Sequence, residues 1–271
     1  MERNQQKDGD SFPRAPTQEE WDAMSMEERE QVVQSLPAEV TWDEMAMPEG
    51  DLHSEAKRGA LEALRGYFSR QQRRVYLGTE LPVYYPGERR FAPDLLAVLD
   101  VEPHLRGKWM VSHEGKGLDW VMEVHVGGDR KKDAEYNVRR YARLGIPEYF
   151  IYDRNKEQLE AYRLPSPGAR EYVRMEPRQG RYSSEVLGLE LQVEGEKLRF
   201  WAGNALLLES DELITRLREM VEGLQQRADE EARKLGEEAR RREEAERRLA
   251  EAEQRMAALQ AELERLKGPR E

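Results

Sequence analysis

Residues 118–126 read LDWVMEVHV and hold a carboxylate and an imidazole inside an apolar run. The run is rich in β-branched and aromatic residues, which is typical of a buried strand. Side chains two residues apart share one face of a strand, so Glu123 and His125 are predicted to point the same way. A buried carboxylate without partners is unfavourable, which indicates that Glu123 belongs to a functional site.

A second apolar run, residues 91–99, reads FAPDLLAVL and has Asp94 at its entrance. Mg²⁺ is a hard ion that takes one or two carboxylates together with waters and substrate phosphate. Two carboxylates on adjacent strands therefore predict a site for Mg²⁺, or Mn²⁺, held by Asp94 and Glu123. The alternative for Asp94 is a turn residue, since aspartate after proline is common where a strand begins.

These two runs together resemble the PD-(D/E)xK nuclease superfamily. With residues 141–153, YARLGIPEYFIYD, the chain is similar over residues 45–208 to the Uma-type putative restriction endonucleases. The resemblance implies a restriction-endonuclease-like domain of the α/β (α+β) class, with a mixed sheet flanked by helices. It also implies a Mg²⁺-dependent endodeoxyribonuclease with DNA as its partner, in which Asp94, Glu123 and His125 are the candidate catalytic residues.

The chain departs from the family pattern at the lysine. The superfamily's lysine lies two residues after the glutamate, where this chain has His125, and Uma-type relatives place one where this chain has Asn137. Lys131 and Lys132 are candidates for a substitute cation. Two hypotheses stay open: an active nuclease, or a catalytically degenerate nuclease-like domain that serves as a binding or assembly module. For His125 the alternative is a structural histidine with satisfied hydrogen bonds.

Residues 52–69 have the apolar spacing of an amphipathic helix. The superfamily places such a helix ahead of its strands, often with an acid that assists the metal, so Glu55 is a candidate metal ligand and Glu62 a second choice. The alternative for both is an exposed helix charge. A helix over 133–144 joins two strand patterns, which predicts a parallel crossover. The predicted strands are 74–85, 91–99, 120–126, 148–153, 159–164, 171–175 and 189–200.

The two ends of the chain have different patterns. Residues 1–16 are polar and aperiodic, which predicts disorder, and residues 17–44 carry signals for short helices that pack on the domain or dock a partner, with packing favoured. From 211 to 267 apolar residues recur at alternating spacings of three and four with charged flanks. This pattern predicts a coiled-coil helix of roughly 85 Å that self-associates or docks on another protein's helix.

Composition limits the class of protein. Hydrophobic residues make up 38% and charged residues 37%, so part of the chain lies outside any core. The absence of cysteine excludes a disulfide scaffold and thiolate chemistry, and no apolar run is long enough for a membrane span, so a soluble cytoplasmic protein is the expectation. The net charge is −11, but residues 1–60 hold 15 acids against 6 Lys and Arg, outside the proposed catalytic strands.

Overall fold

The computed structural model describes residues 13–39, 50–126 and 131–266, with only the backbone at 131–134 and 266. It divides into two compact units, one up to Ser210 and one from Asp211. The helices are α1 (Gln18–Ala23), α2 (Met26–Ser35), α3 (Gly50–Gln71), α4 (Val111–Glu114), α5 (Lys131–Leu144) and α6 (Ser210–Leu266). The strands are β1 (Val75–Gly78), β2 (Val83–Tyr84), β3 (Leu95–Leu99), β4 (Trp109–Met110), β5 (Trp120–His125), β6 (Glu148–Asp153), β7 (Gln158–Arg163), β8 (Val173–Arg174), β9 (Tyr182–Ser184), β10 (Leu189–Glu194), β11 (Lys197–Ala202) and β12 (Ala205–Leu206).

The central sheet has the strand order β1-β3-β5-β6-β7-β8. Its pairs are antiparallel except β5 with β6, which run parallel and are joined by α5. The parallel crossover predicted from the sequence is therefore confirmed, because two strands that run the same way need a long connection. The fold is a mixed α+β architecture, as the sequence predicts.

Helix α3 packs on one face of the central sheet. Ala60, Leu64 and Phe68, spaced four residues apart, share a core with Trp120 and Met122 of β5. The other face of the sheet, which includes Val121, packs against Tyr141 of α5 in a second core. Strand β5 is therefore covered on both faces, and this is why its sequence is apolar at nearly every position.

A second sheet, in the order β12-β11-β10-β9, shares the core of α3. The predicted strand over 189–200 is in fact two strands, β10 and β11, which turn back at Gly195 with φ 58°. Glu148 joins the two sheets, since this 1%-exposed carboxylate accepts hydrogen bonds from Ser184 Oγ at 2.5 Å and from Arg163 Nε at 2.9 Å.

The predicted strand over 74–85 is interrupted. Strand β1 ends at Gly78, and the chain turns through Glu80, whose φ is 50°, before β2 begins at Val83. Proline at 82 is compatible with this break, because it lacks the backbone donor that a continuing strand would use.

The N-terminal segment differs in part from the prediction. Residues 1–12 lie outside the described part of the chain, but Arg14 and Ala15, predicted to be disordered, form β-bridges with Arg89 and Pro86. The reason is burial, since Ala15 packs in a small core with Trp21 of α1. The packing of the short helices on the domain is confirmed by this core.

Helix α6 runs for 57 residues and shows that the predicted tail is helical up to residue 266. Lys267 lies outside the described residues. Large apolar side chains of α6 are exposed along its length: Leu224 is 60% exposed and Leu259 is 61% exposed. In the described part of the chain, none of the helices combines the length and the apolar character that crossing a bilayer requires.

Candidate active site

Asp94 and Glu123 meet where β3 and β5 run side by side. The antiparallel register pairs Leu95 with Met122, and its continuation places residue 94 opposite residue 123. The Asp94 N–H donates to Glu123 Oε2 at 3.3 Å, and the Val124 N–H donates to Asp94 Oδ2 at 2.8 Å. Each acid is thus held by a backbone amide of the other strand. The structure brings together the two carboxylates that the sequence pairs.

The first turns of α3 supply two basic side chains to Asp94. His53 Nε2 lies 3.1 Å from Asp94 Oδ1, and Lys57 Nζ lies 3.6 Å from the same oxygen. The two residues are four positions apart and therefore share one face of the helix. Lys57 as a whole is only 7% exposed. A buried cation therefore stands beside the acids, although neither position of the expected lysine holds one.

Glu80 holds the other side of this cation. Its Oε1 lies 2.5 Å from Lys57 Nζ, and its backbone N–H donates to the carbonyl oxygen of Pro93 at 3.0 Å, directly before Asp94. Glu80 has a positive φ of 50°, which is uncommon outside glycine, and residues with such a constrained backbone cluster at functional sites. The turn after β1 therefore fixes the position of the Lys57 ammonium relative to Asp94.

Tyr141 of α5 contacts Glu123 from the opposite face of the sheet. Its O–H donates to Glu123 Oε1 at 2.7 Å, and its ring packs against Phe91 and Tyr149. Burial, and then the charge of Glu123, raise the pKa of Tyr141 well above its ordinary value. The hydroxyl therefore keeps its proton and acts as a donor to the carboxylate.

The two acids differ in how tightly they hold a proton. Burial alone would raise the pKa of Asp94, but hydrogen bonds from His53 and Val124 and the charge of Lys57 outweigh it, so this pKa lies below its ordinary value. Burial and the neighbouring Asp94 charge raise the pKa of Glu123 well above its ordinary value, although the residue as a whole is only partly buried. A divalent cation between the two would offset both causes of that rise.

The donor set suits a hard cation with few protein ligands. Over the residues that the structure describes, no group of three or more His, Asp or Glu side chains is arranged to hold a metal ion. Asp94 and Glu123 form a pair of carboxylates, and Mg²⁺ commonly uses one or two with waters and phosphate oxygens. The residues present therefore fit a divalent cation that is completed by water and substrate.

His125 lies at the end of β5, in register with Asp153 of β6. Its side chain is half-buried, and its carbonyl oxygen accepts a hydrogen bond from the Arg154 N–H at 2.9 Å. Burial lowers the pKa of His125 below its ordinary value, against the opposing effect of the Asp94 and Asp153 charges. The imidazole is therefore neutral at neutral pH and does not replace the charge of a lysine.

Glu55 is not brought to these acids. It lies two residues from His53 and thus on another side of α3, where its Oε2 pairs with Arg154 Nη1 at 3.0 Å. Asn137 is half-buried on α5, one turn before Tyr141. The side chains of Lys131 and Lys132 lie outside the described residues.

The sequence reasoning missed the polar groups that α3 and the β1 turn contribute. A signal existed for Lys57, because it lies in the apolar stripe of α3, three residues before Ala60 and seven before Leu64. A lysine in such a stripe is unusual unless it has a partner. Glu80 carries no comparable local signal, since its left-handed backbone is visible only in the structure.

The chain is similar to a known protein family and to a solved structure. The model of the Uma2 family, described as "Putative restriction endonuclease", matches residues 36–194, more than half of the chain. A solved structure described as a putative nuclease belonging to DUF820 from Anabaena variabilis is similar, with 15% identity and a TM-score of 0.44. The match covers 56% of this chain and 82% of that one. No curated protein matches the sequence.

Proposed function

The chain belongs to the Uma2 family, and from this premise we propose that it is a divalent-metal-dependent endonuclease that hydrolyses phosphodiester bonds in DNA. The observation that carries the proposal is the contact between Asp94 and Glu123 with the buried Lys57 beside them. Two carboxylates can hold a divalent metal ion together with substrate phosphate, and a fixed cation beside them can stabilise charge on that phosphate. We also propose that this activity takes place in the cytoplasm.

Asp94 and Glu123 would hold Mg²⁺ or Mn²⁺, with the carbonyl oxygen of Val124 as a further oxygen ligand. The ion would lower the pKa of a bound water and stabilise charge on the phosphate. Tyr141, by donating to Glu123 Oε1, orients that carboxylate and leaves its other oxygen directed at the Asp94 backbone. His53 does the same for Asp94 Oδ1.

Lys57 is the residue we assign to the place of the family lysine. Its ammonium lies 3.6 Å from the proposed metal ligand Asp94 and is held by Glu80. A fixed cation at this distance attracts the phosphate and stabilises the charge that develops on it. His125, as a neutral imidazole close to Asp94, is the candidate for proton transfer to or from the attacking water.

The second candidate function is a nuclease-like domain without catalysis, which binds or assembles through its surface and tail. The residues that favour it are His125 and Asn137, which stand where relatives carry lysine. The two candidates differ in one respect that can be measured. An enzyme must bind a divalent cation at Asp94 and Glu123, whereas a binding module need not.

The test is calorimetric titration of Mg²⁺ and Mn²⁺, with plasmid cleavage in parallel, on the full chain. We expect metal binding and nicking in the wild type, and loss of both in Asp94→Asn and Glu123→Gln, which keep the side-chain shape. Glu55→Gln is the matched control, an acid on α3 that pairs with Arg154, and it should keep both. Nicking that persists in the two site variants would refute the assignment, and a wild type that binds no metal would favour the binding module.

We propose in addition that the chain self-associates through α6. The support is a row of exposed apolar side chains on a helix of 57 residues. A helix of this length buries such a row by pairing with another helix. A dimer would supply two active sites, one for each strand of a DNA duplex.

A further inference from the structure

We infer that two copies of α6 pair as a parallel, in-register, two-stranded coiled coil. The inference rests on the self-association proposed above and adds its direction. The seam is the set of apolar positions at alternating spacings of three and four, which begins at Ile214 and ends at Leu266. In heptad notation Ile214 occupies position a and Leu217 position d, and this register continues without a break to the end of the helix.

The first two heptads have the residue types that select this arrangement. Position a holds the β-branched residues Ile214 and Val221, and position d holds Leu217 and Leu224. Side chains of these four residues are between 45% and 60% exposed. Among parallel coiled coils, β-branched residues at a with leucine at d favour two strands over three or four.

The charges beside the seam select the direction. In a parallel pair each g residue faces the e residue five positions later on the other helix. Arg241 and Arg248 occupy g positions, and Glu246 and Glu253 occupy e positions. Arg241 therefore faces Glu246 of the second copy, and Arg248 faces Glu253. By symmetry the two helices make four attractive contacts.

An antiparallel pair would bring like charges together. In that arrangement the g residues of one helix face the g residues of the other. Five successive g positions from 227 to 255 are basic: Arg227, Lys234, Arg241, Arg248 and Arg255. Every contact among them would be repulsive. The flanking charges therefore disfavour the antiparallel direction as well as favouring the parallel one.

The polar interval in the middle of the seam suits the antiparallel direction better than the parallel one. Glu238 at d and Arg242 at a form an ion pair within the helix at 3.1 Å. In an antiparallel pair Glu238 of one copy faces Arg242 of the other, whereas in a parallel pair each faces its own counterpart and meets the opposite charge only in the adjacent layer. The flanking contacts outnumber these two layers, because the basic g positions repel one another along most of an antiparallel pair. Gly236 lowers helix stability in the same interval, so this part of the coiled coil should be its weakest.

The direction can be tested with single cysteines, because the chain has none of its own. Leu217→Cys and Leu263→Cys are made separately in the full chain, with Gln254→Cys at the outward position f as the control. In the parallel dimer each seam variant forms a disulfide-linked dimer by itself under mild oxidation, faster than the control. In an antiparallel dimer residue 217 faces 263, so only a mixture of the two variants would link, and that result would overturn the direction.

Charge reversal gives an independent readout. Arg241→Glu with Arg248→Glu should weaken the dimer roughly 10-fold, since it turns four attractive contacts into repulsive ones. Mixing it with the Glu246→Lys, Glu253→Lys variant should restore pairing as a heterodimer. Restoration also controls for the lost contact of Arg248 with Glu244 in the same helix. An antiparallel dimer would instead be tightened by the first variant.

Light scattering on the wild-type chain separates the two claims. A dimer with the expected cysteine pattern supports both. A dimer with the antiparallel pattern refutes the direction and leaves self-association standing. A trimer or larger assembly refutes the two-stranded inference, and a monomer at tens of micromolar refutes self-association and the direction together. None of these results bears on metal binding by the domain.

Discussion

The domain and the tail depart from ordinary burial in opposite ways. In the domain, charged groups are removed from water: Lys57 is 7% exposed, and the carboxyl group of Glu123 has a raised pKa because it is buried beside Asp94. In the tail, apolar groups are left in water: Leu224 is 60% exposed and Leu259 is 61% exposed. Both arrangements are unfavourable in isolation.

The difference bears on the partner that we propose for each region. A crowded pair of carboxylates with one ammonium is stabilised by a cation and an anionic substrate, whereas an apolar row is stabilised by another apolar row. The proposed partners are therefore a divalent cation and an anionic substrate for the domain, and a second helix for the tail. The domain and the tail should therefore respond to different changes, and four experiments separate them.

The largest effect should follow from removing the buried cation. Lys57→Met keeps the length of the side chain and deletes its charge, so we expect cleavage to fall on the order of 100-fold, as is typical when one preorganised electrostatic contact is lost. Metal binding by calorimetry should persist, because Asp94 and Glu123 remain. Arg58→Gln, a change at the exposed neighbour on α3, is the control. Full cleavage by Lys57→Met would remove Lys57 from the mechanism.

The second effect concerns the tail alone. A chain that ends at Ser210 should be monomeric by light scattering where the full chain is a dimer of modest affinity, since alanine at several seam positions weakens the contact. Its affinity for Mg²⁺ should be unchanged, because no site residue lies beyond Ser210. A truncated chain that remains dimeric would place the interface in the domain.

A smaller effect is expected from restoring the family lysine. Asn137 lies one turn before Tyr141, so Asn137→Lys places a second cation on the helix face that approaches Glu123. We expect the cleavage rate of Asn137→Lys to exceed that of the wild type by a few-fold. In the Lys57→Met background the same change should give a larger gain, measured relative to Lys57→Met alone. Asn137→Gln is the uncharged control. A lysine that rescues nothing in the combined variant would show that position 137 does not reach the substrate here.

The smallest effect is on stability. Because the folded state raises the pKa of Glu123, the metal-free protein loses stability as pH rises from the ordinary range of glutamate through that folded pKa. Glu123→Gln removes this loss, so its melting temperature at neutral pH should exceed that of the wild type by about 2–4 °C per kcal/mol relieved. The gap should close in acid and with saturating Mg²⁺. An equal or lower melting temperature at neutral pH would show that Glu123 is not destabilised by burial.

The parts of the fold that the sequence predicts well are those with local signals. The tail follows from spacing within one helix, and the β5–α5–β6 crossover follows from two apolar runs with a helix pattern between them. The pairing of Asp94 with Glu123 also follows from a register between neighbouring strands. Each of these depends on residues close together in the chain or on adjacent strands.

The remainder depends on packing that no local pattern records. Lys57 reaches Asp94 only because α3 lies across β5, and the expectation of an assisting acid directed attention to Glu55 instead. Ala15 is ordered by packing in the core around Trp21. The polar, aperiodic sequence of this segment gives no signal of that contact. Long-range contacts of this kind decide which of several polar residues on a helix faces a site.

The reciprocal hydrogen bonds between Asp94 and Glu123 have a consequence for the positions at which the proposed activity can be lost. Each carboxylate accepts a hydrogen bond from a backbone amide beside the other acid, so together they extend the end of the β3–β5 ladder. Selection for folding alone would then retain a hydrogen-bond acceptor at both positions, and at position 123 glutamine supplies one without a buried charge. The ammonium of Lys57 makes no such contact with the backbone. Under the proposed nuclease function, chains that lose the activity should therefore change at position 57, or to glutamine at position 123, and should keep Asp94.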